Sequence, residues 1–300
     1  MSTDTGPAIE LRGASKIFRT PSGGLHTAVR ELDLTVARGE FVAVVGPTGC
    51  GKSTTLTLVS GLEEPTEGEV LVAGQPVEGV GDKVGFVFQQ DATFPWRTVL
   101  SNVMAGPRFR GVPKAEAKAK AREWLARVGL ASFEDRYPHQ LSGGQRKRVA
   151  LAATFVNDPE ILLMDEPFSA LDVQTRALMS DELLELWEGT GASVVFVTHD
   201  LEESIALADK VVVMTAGPAT VKQVFDIDLP RPRKVESVRL LPEFIDIYRE
   251  IWESLGEEVR ITRERCRRCR LTPSPPRPSP TPPSRDAPSP RPGPPVGARC

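Results

Sequence analysis

No run of about 18 uncharged apolar residues occurs in the 300-residue chain, so no segment qualifies as a membrane-spanning helix. The first seven residues lack the basic-then-apolar pattern of a secretory signal, and the chain is expected to stay in the cytoplasm. Cysteine is scarce. Cys50 stands alone in the body, and Cys266, Cys269 and Cys300 lie near the C-terminus, which excludes a disulfide framework. No internal repeat is visible at a period of roughly 20–50 residues. Positive charge is also in short supply outside the end of the chain. Residues 260–300 carry ten arginines against two acids, Glu264 and Asp286; of 37 basic and 40 acidic residues overall, this leaves 27 basic and 38 acidic in 1–259. An acidic body argues against nucleic-acid binding as the main activity. What remains, 40% hydrophobic and 26% charged, is the profile of a globular chain with a sizeable core.

The most informative stretch is Gly46-Pro47-Thr48-Gly49-Cys50-Gly51-Lys52-Ser53, followed by Thr54. It comes after the apolar run Phe41-Val42-Ala43-Val44-Val45, which reads as a buried parallel strand, and it leads into an expected helix over 54–60. Glycines in such a loop let successive backbone N–H groups converge on phosphate oxygens, and the helix N-terminus adds the positive end of its dipole. Lys52 is then placed to reach the β- and γ-phosphates of a nucleoside triphosphate, and the Ser53 hydroxyl to hold Mg²⁺. Cys50 reads as a small residue fitting this loop rather than a redox switch, since only a helix N-terminus recommends it for reactivity.

Short strands at 8–11, 32–36 and 41–45 suggest a β-rich entry region, and further strands are expected at 69–72 and 84–88, the last ending at Gln89. Composition then turns helical from Arg97 to Phe155, an inserted helical subdomain at about 92–158. Strand–helix alternation resumes at 160–164, 173–187, 193–197, 201–208 and 210–214, the pattern of a parallel sheet covered by helices. A strand at 220–228 and a final helix at 242–255 close the domain, whose limits are set at 1–258. The remainder, 259–300, is Arg- and Pro-rich with twelve prolines after Leu271, and is expected to be a disordered, dispensable extension. Its single Cys266-Arg267-Arg268-Cys269 pair lacks the second pair of ligands that a structural zinc site needs.

A second anchor is Ile161-Leu162-Leu163-Met164-Asp165-Glu166, an apolar strand delivering adjacent carboxylates at its C-terminal end, where open α/β sheets bind ligands. Asp165 suits the Mg²⁺ held by Ser53, and Glu166 suits the attacking water, because phosphoryl transfer asks a protein mainly for positioning and charge stabilisation. His199, one of three histidines with His26 and His139, follows the strand at 193–197. It can donate a hydrogen bond to a γ-phosphate, or it can be incidental to a helix cap formed by Asp200. Gln89 follows a strand in the same way, with an amide able to reach Mg²⁺ or the water. Leu141-Ser142-Gly143-Gly144-Gln145 opens another helix and makes a second phosphate-grade N-terminus, although one nucleotide already has a complete cradle.

In this order, Gly46–Ser53 (Walker A), Gln89 (Q-loop), Leu141 to Gln145 (signature), Ile161 to Glu166 (Walker B), Ser169-Ala170-Leu171-Asp172 (D-loop) and His199 (H-loop) resemble the motif set of ATP-binding-cassette ATPases. The resemblance covers roughly residues 8–258. It implies an α/β P-loop NTPase fold with a mostly parallel sheet core, a β-rich N-terminal region and an inserted α-helical subdomain. It also implies ATP and Mg²⁺ as cofactors, with Ser53, Gln89 and Asp165 around the metal and Glu166, His199 and Gln89 in hydrolysis. Two copies are expected to pack head to tail, so that Ser142–Gln145 of one closes on the nucleotide of the other. The adenine-stacking aromatic, usually a Tyr in the family, is matched by Phe18, which keeps the stacking face and loses the phenol. Ala153 stands where the family often has an Arg. Phe94-Pro95-Trp96 and Asp228-Leu229-Pro230-Arg231-Pro232-Arg233 resemble the nitrate/sulfonate/taurine importer branch. That branch implies transmembrane permease subunits as partners, an extracytoplasmic solute-binding protein acting indirectly, and a peripheral location at the inner face of the membrane. A nucleic-acid or ribosome-directed ABC ATPase is the contrasting class, but those usually bring a long coiled-coil insertion or a second cassette, and neither is present. A nucleotide-regulated module without turnover would be favoured by loss of the carboxylate at Glu166.

Overall fold

The structure is a computed structural model that describes residues 6–271 apart from residues 22 and 91. Strands β1 (Ile9–Arg19) and β2 (Leu25–Val36) form a long antiparallel hairpin, and β3 (Phe41–Val45) runs into the glycine loop and helix α1 (Lys52–Ser60). Then follow β4 (Glu67–Val72), the short β5 (Gln75–Pro76) and β6 (Val84–Val87). Between β6 and the next strand the described chain is helical: α2 (Val99–Val103), α3 (Ala105–Phe109), α4 (Lys114–Arg127) and α5 (Gly143–Phe155). Strands and helices then alternate as β7 (Ile161–Asp165), α6 (Val173–Glu188), β8 (Ser193–Val197), α7 (Leu201–Leu207), β9 (Lys210–Met214) and β10 (Val221–Asp226). Helices α8 (Val235–Val238) and α9 (Pro242–Leu271) end the described chain. No described helix is long and apolar enough to cross a membrane.

The described residues form two sheets. The smaller is antiparallel, in the order β2-β1-β4-β5, and the larger is β10-β9-β3-β8-β7-β6 with every pairing parallel except β9 with β10. The central strands are buried on both faces, which is why they read as continuous apolar runs. Phe41, Ala43 and Val45 point into one core with Val194, Phe196, Leu162, Met164 and the helices of the insertion. Val42 and Val44 point into a second core with Val195, Val197, Ile161, Leu163, α1 and the antiparallel sheet. Phe41 fixes the first core by an edge-on contact with Trp187, its ring centroid 5.2 Å away.

Two expectations about the ends of elements are corrected. The entry strands extend well past 8–11 and 32–36, because β1 and β2 pair along most of their length and absorb irregularities through register shifts. The final helix does not stop at 255, and the segment after 259 is not extended throughout: α9 continues to Leu271. The first proline of the basic segment is Pro273, so 260–271 holds only helix-compatible residues, arginine among the best of them. Its course is also held by contacts with the loop after β9. Glu258 Oε2 accepts from Ala216 N at 2.7 Å, and Arg265 donates to the carbonyls of Ala216 and Gly217. Residues 272–300 and the side chains of Cys266 and Cys269 lie outside the described residues.

Candidate functional site

The strand order β3-β8-β7-β6 sets the C-terminal ends of four parallel strands side by side, and each end carries one of the motifs: Gly46 to Ser53 after β3, His199 after β8, Asp165 and Glu166 at β7, and Gln89 after β6. They are far apart in sequence and adjacent in space. A cleft of about 700 Å³ opens there, lined by Phe18, His26, Thr48, Gly49, Gly51, Lys52, Ser53, Thr54, Gln89, Glu166 and His199. A larger one, about 790 Å³, lies at the opposite pole of the sheet beside Trp124 and the loops before β7 and β8, and brings none of the motif residues together. Chemistry, not size, selects the first.

The glycine loop is held tightly from behind. Gly51 has φ +124°, and a Cβ there would stand 2.5 Å from the carbonyl oxygen of Ala28, so only glycine fits this close approach. Cys50 is buried beneath the loop, and burial pushes its thiol pKa up, away from the reactive thiolate. Lys52, 6% exposed, donates from Nζ to the carbonyls of Gly46 at 2.8 Å and Pro47 at 3.2 Å. These carbonyls hold the ammonium at the loop, close enough to Asp165 to stabilise its carboxylate. Pro47 is buried, and Thr48 and Gly49 form the exposed crest.

Glu166 is the joint of the site. Its φ is +44°, a left-handed conformation that costs a non-glycine residue on the order of 1–3 kcal/mol. The conformation is held by Glu166 N donating to Val197 O at 2.9 Å, and by Ser169 N and Oγ bonding Glu166 O at 3.2 and 3.0 Å. The carboxylate meets His199 Nδ1 at 3.0 Å and accepts from Gln89 Nε2 at 3.4 Å. Asp165, one residue earlier, points to the glycine loop: burial raises its carboxyl pKa, and a hydrogen bond with the Ser53 side chain pulls it back. Asp200 caps α7, accepting from Glu202 N at 3.0 Å and Glu203 N at 3.2 Å, while His199 itself reaches Glu166.

Phe18 lies opposite His26 across the β1–β2 hairpin, with the Lys16 ammonium 5.2 Å from its ring centroid. The sequence alone does not place His26 at the site; its cross-strand pairing with Phe18 does. Nor does it place Lys147, whose Nζ donates to Gln89 O at 2.7 Å and ties α5 to the end of β6.

Ser142, Gly143, Gly144 and Gln145 do not line the cleft. They cap α5 within their own chain: Gln145 N donates to Ser142 Oγ at 3.3 Å and Ser142 N to Gln145 Oε1 at 2.9 Å. Ser142 is exposed, whereas Gly143 and Gly144 are half-buried, and a Cβ on them would meet the side chains of Leu171 at 3.5 Å and Thr175 at 3.3 Å. Ala153 packs against the core of the insertion.

Glu203 on α7 is 4% exposed, and burial pushes its carboxyl up from 4.5 to about 7. A raised folded-state pKa contributes stability that is full below pH 4.5 and is lost as pH rises through 7, an effect on the order of 3 kcal/mol. Glu203→Gln is therefore expected to gain stability relative to the parent as pH goes from 5 to 8. Denaturant unfolding of both proteins across that range checks it, and a difference independent of pH would show that Glu203 does not titrate there.

A glycine phosphate loop between strand and helix, beside a strand ending in two carboxylates, defines a P-loop nucleotide-binding fold. The family model described as ABC transporter matches residues 29–169. An uncharacterized ABC transporter ATP-binding protein of Methanocaldococcus jannaschii is 46% identical over 251 residues, covering 84% of this chain and 92% of the relative. The taurine import ATP-binding protein TauB of Pseudomonas aeruginosa is 42% identical over 226 residues, covering 74% of this chain and 86% of the relative. Among solved structures, the dimeric post-hydrolysis state of the ATP-binding cassette MJ0796 bound to ADP and Pi aligns with a TM-score of 0.66 at 32% identity, covering 74% of this chain and all of that one. The chain belongs to the ABC transporter ATP-binding proteins, and it is an ATPase.

Proposed function

We propose that this chain is the ATP-hydrolysing subunit of an importer, docked at the cytoplasmic face of the membrane on separate permease subunits and coupling hydrolysis to uptake of a small anionic or organic solute such as nitrate, a sulfonate or taurine. The observation that carries the catalytic reading is the meeting of Gln89, Glu166 and His199 around one carboxylate oxygen beside Lys52. Lys52 would exchange the carbonyls of Gly46 and Pro47 for the β- and γ-phosphate oxygens, and the amides of Gly49, Cys50, Gly51 and Ser53 would bind the remaining phosphate charge. Phe18 offers the face for adenine. Glu166 Oε2 orients water and receives its proton, while His199, held by that same oxygen, donates to the γ-phosphate. The oxygen donors of Ser53 and Asp165, already in hydrogen-bond contact, suit a hard divalent ion, and together with Gln89 they would hold Mg²⁺. When bound, the ion would neutralise part of the phosphate charge.

Because Ser142 is exposed and Ser142–Gln145 do not line the cleft of their own chain, the reading includes a second copy, whose helix N-terminus completes the γ-phosphate cradle. Docking on the permease falls to the surface after Gln89, where Trp96 is 72% exposed beside Phe94. The likeness to TauB supports the importer branch, and a solute-binding protein outside the cell would act on the permease rather than on this chain. Co-expression with permease subunits encoded beside its gene tests the assignment. A stoichiometric membrane complex, with ATPase activity coupled to uptake of one such solute in vesicles, is expected. Recovery with ribosomes or nucleic acid and no membrane protein would overturn it.

A further inference from the structure

His199 has a side chain 53% exposed, and the Glu166 carboxylate is its hydrogen-bond partner among the described residues. With about half of the ring in solvent, the backbone that carries it contributes strongly to its direction. That backbone is pinned immediately before the ring. Thr198 is buried; its N–H donates to Val44 O at 3.3 Å, and its hydroxyl accepts from Asp200 N at 3.1 Å and donates to Glu203 Oε2 at 2.5 Å. The Thr198 hydroxyl thus bridges over His199, from the amide just after it to a carboxyl one turn into α7. Glu203 is steadied by Ser180 Oγ of α6, 3.5 Å from Oε1. Arg176 binds Asp200 Oδ2 at 2.9 Å and Leu171 O at 3.0 Å, tying the His199 loop to the loop that follows Glu166. A leucine at 203 would fill the same space without burying a carboxyl, so the distinctive contribution of Glu203 is its bond to Thr198.

We propose that Glu203 is a positioning residue for His199, acting through the hydroxyl of Thr198. The kinetic consequence rests on the reading of His199 as a phosphate donor; the placement does not. Removing the carboxyl leaves the Thr198 hydroxyl without its acceptor and lets the ring drift from the Glu166 oxygen, which slows turnover without weakening ATP binding.

The test compares ATPase kinetics and histidine imidazole NMR signals in the full chain. Glu203→Ala is expected to lower kcat about tenfold with KM for ATP within about twofold, and Glu203→Gln, which retains an acceptor, to restore it. In a His199→Ala background, Glu203→Ala should change the residual rate by less than about twofold, since the effect has lost its mediator. With three histidines in the chain, the His199 signals are identified by their loss in His199→Ala; Glu203→Ala should move them and leave those of His26 and His139 in place. If Glu203→Ala does not fold, Thr198→Val removes the same bond at nearly constant volume, and Thr198→Ser restores the hydroxyl. An equal cost with and without His199, or unmoved His199 signals, would overturn the proposal. Wild-type turnover in His199→Ala alone would instead bring down the donor reading, with the imidazole signals still deciding the placement.

Discussion

Glu166→Gln is expected to bind ATP as the parent does, to hydrolyse it at least a hundredfold more slowly, and to run as an ATP-bound dimer on a sizing column. The substitution keeps the shape and one acceptor oxygen but removes the charge that orients water and takes its proton, a contribution of roughly 10²–10⁴ in rate for a positioned base. The fold should tolerate it, because the strained backbone at Glu166 is held by main-chain and Ser169 contacts rather than by its carboxylate. Lys52→Ala should fail differently. Lys52 brings a positive charge to phosphates already charged in the ground state, so its removal weakens nucleotide affinity and no ATP-bound dimer accumulates. Steady-state ATPase assays, nucleotide titration and sizing with ATP separate the two outcomes. Hydrolysis at the parental rate by Glu166→Gln would refute the assignment of the base.

A mixture of Ser142→Arg and Lys52→Ala subunits is expected to recover activity that neither variant has alone. If each nucleotide lies between the glycine loop of one copy and Ser142 of its partner, the heterodimer contains one undamaged site and one site damaged twice. Ser142 is exposed and does not line the cleft of its own chain, so arginine there costs the α5 cap, about 1 kcal/mol, and leaves the core intact. The same arginine placed opposite a partner's phosphate loop blocks closure. Sites formed within a single chain predict the opposite result, since every site in every dimer would then carry one lesion. Heterodimers isolated through two affinity tags, with no activity above the separate variants, would rule out shared sites.

How much of this was legible in the sequence depends on the range of the interactions involved. The glycine loop announces itself because its function is local: strand, eight residues and helix are contiguous, and the chemistry of phosphate binding dictates glycine, lysine and serine at those positions. The apolar strands at 41–45, 161–165 and 193–197 are legible because burial on both faces leaves no room for polar alternation. The helix through 260–271 was not. A proline-rich stretch begins just beyond it, and the contacts that anchor it, Glu258 and Arg265 on the Ala216–Gly217 peptide, span more than forty residues. The places of His26 and Lys147 were not legible for the same reason: each meets the site through a partner from another element, Phe18 across the hairpin and the Gln89 carbonyl.

The order of motifs along the chain was enough to establish an ATPase of the ABC family, since each motif is a short string whose residue types are dictated by the group it handles. Tertiary structure decided which of these strings meet. Parallel pairing in the order β3-β8-β7-β6 brings residues 52, 89, 166 and 199 to one edge, while Ser142–Gln145, on the helical insertion, do not line the cleft there. The left-handed backbone at Glu166 and the buried Thr198–Glu203 bond arise only after the strands have paired, because each depends on groups that the folded sheet and its helices bring together.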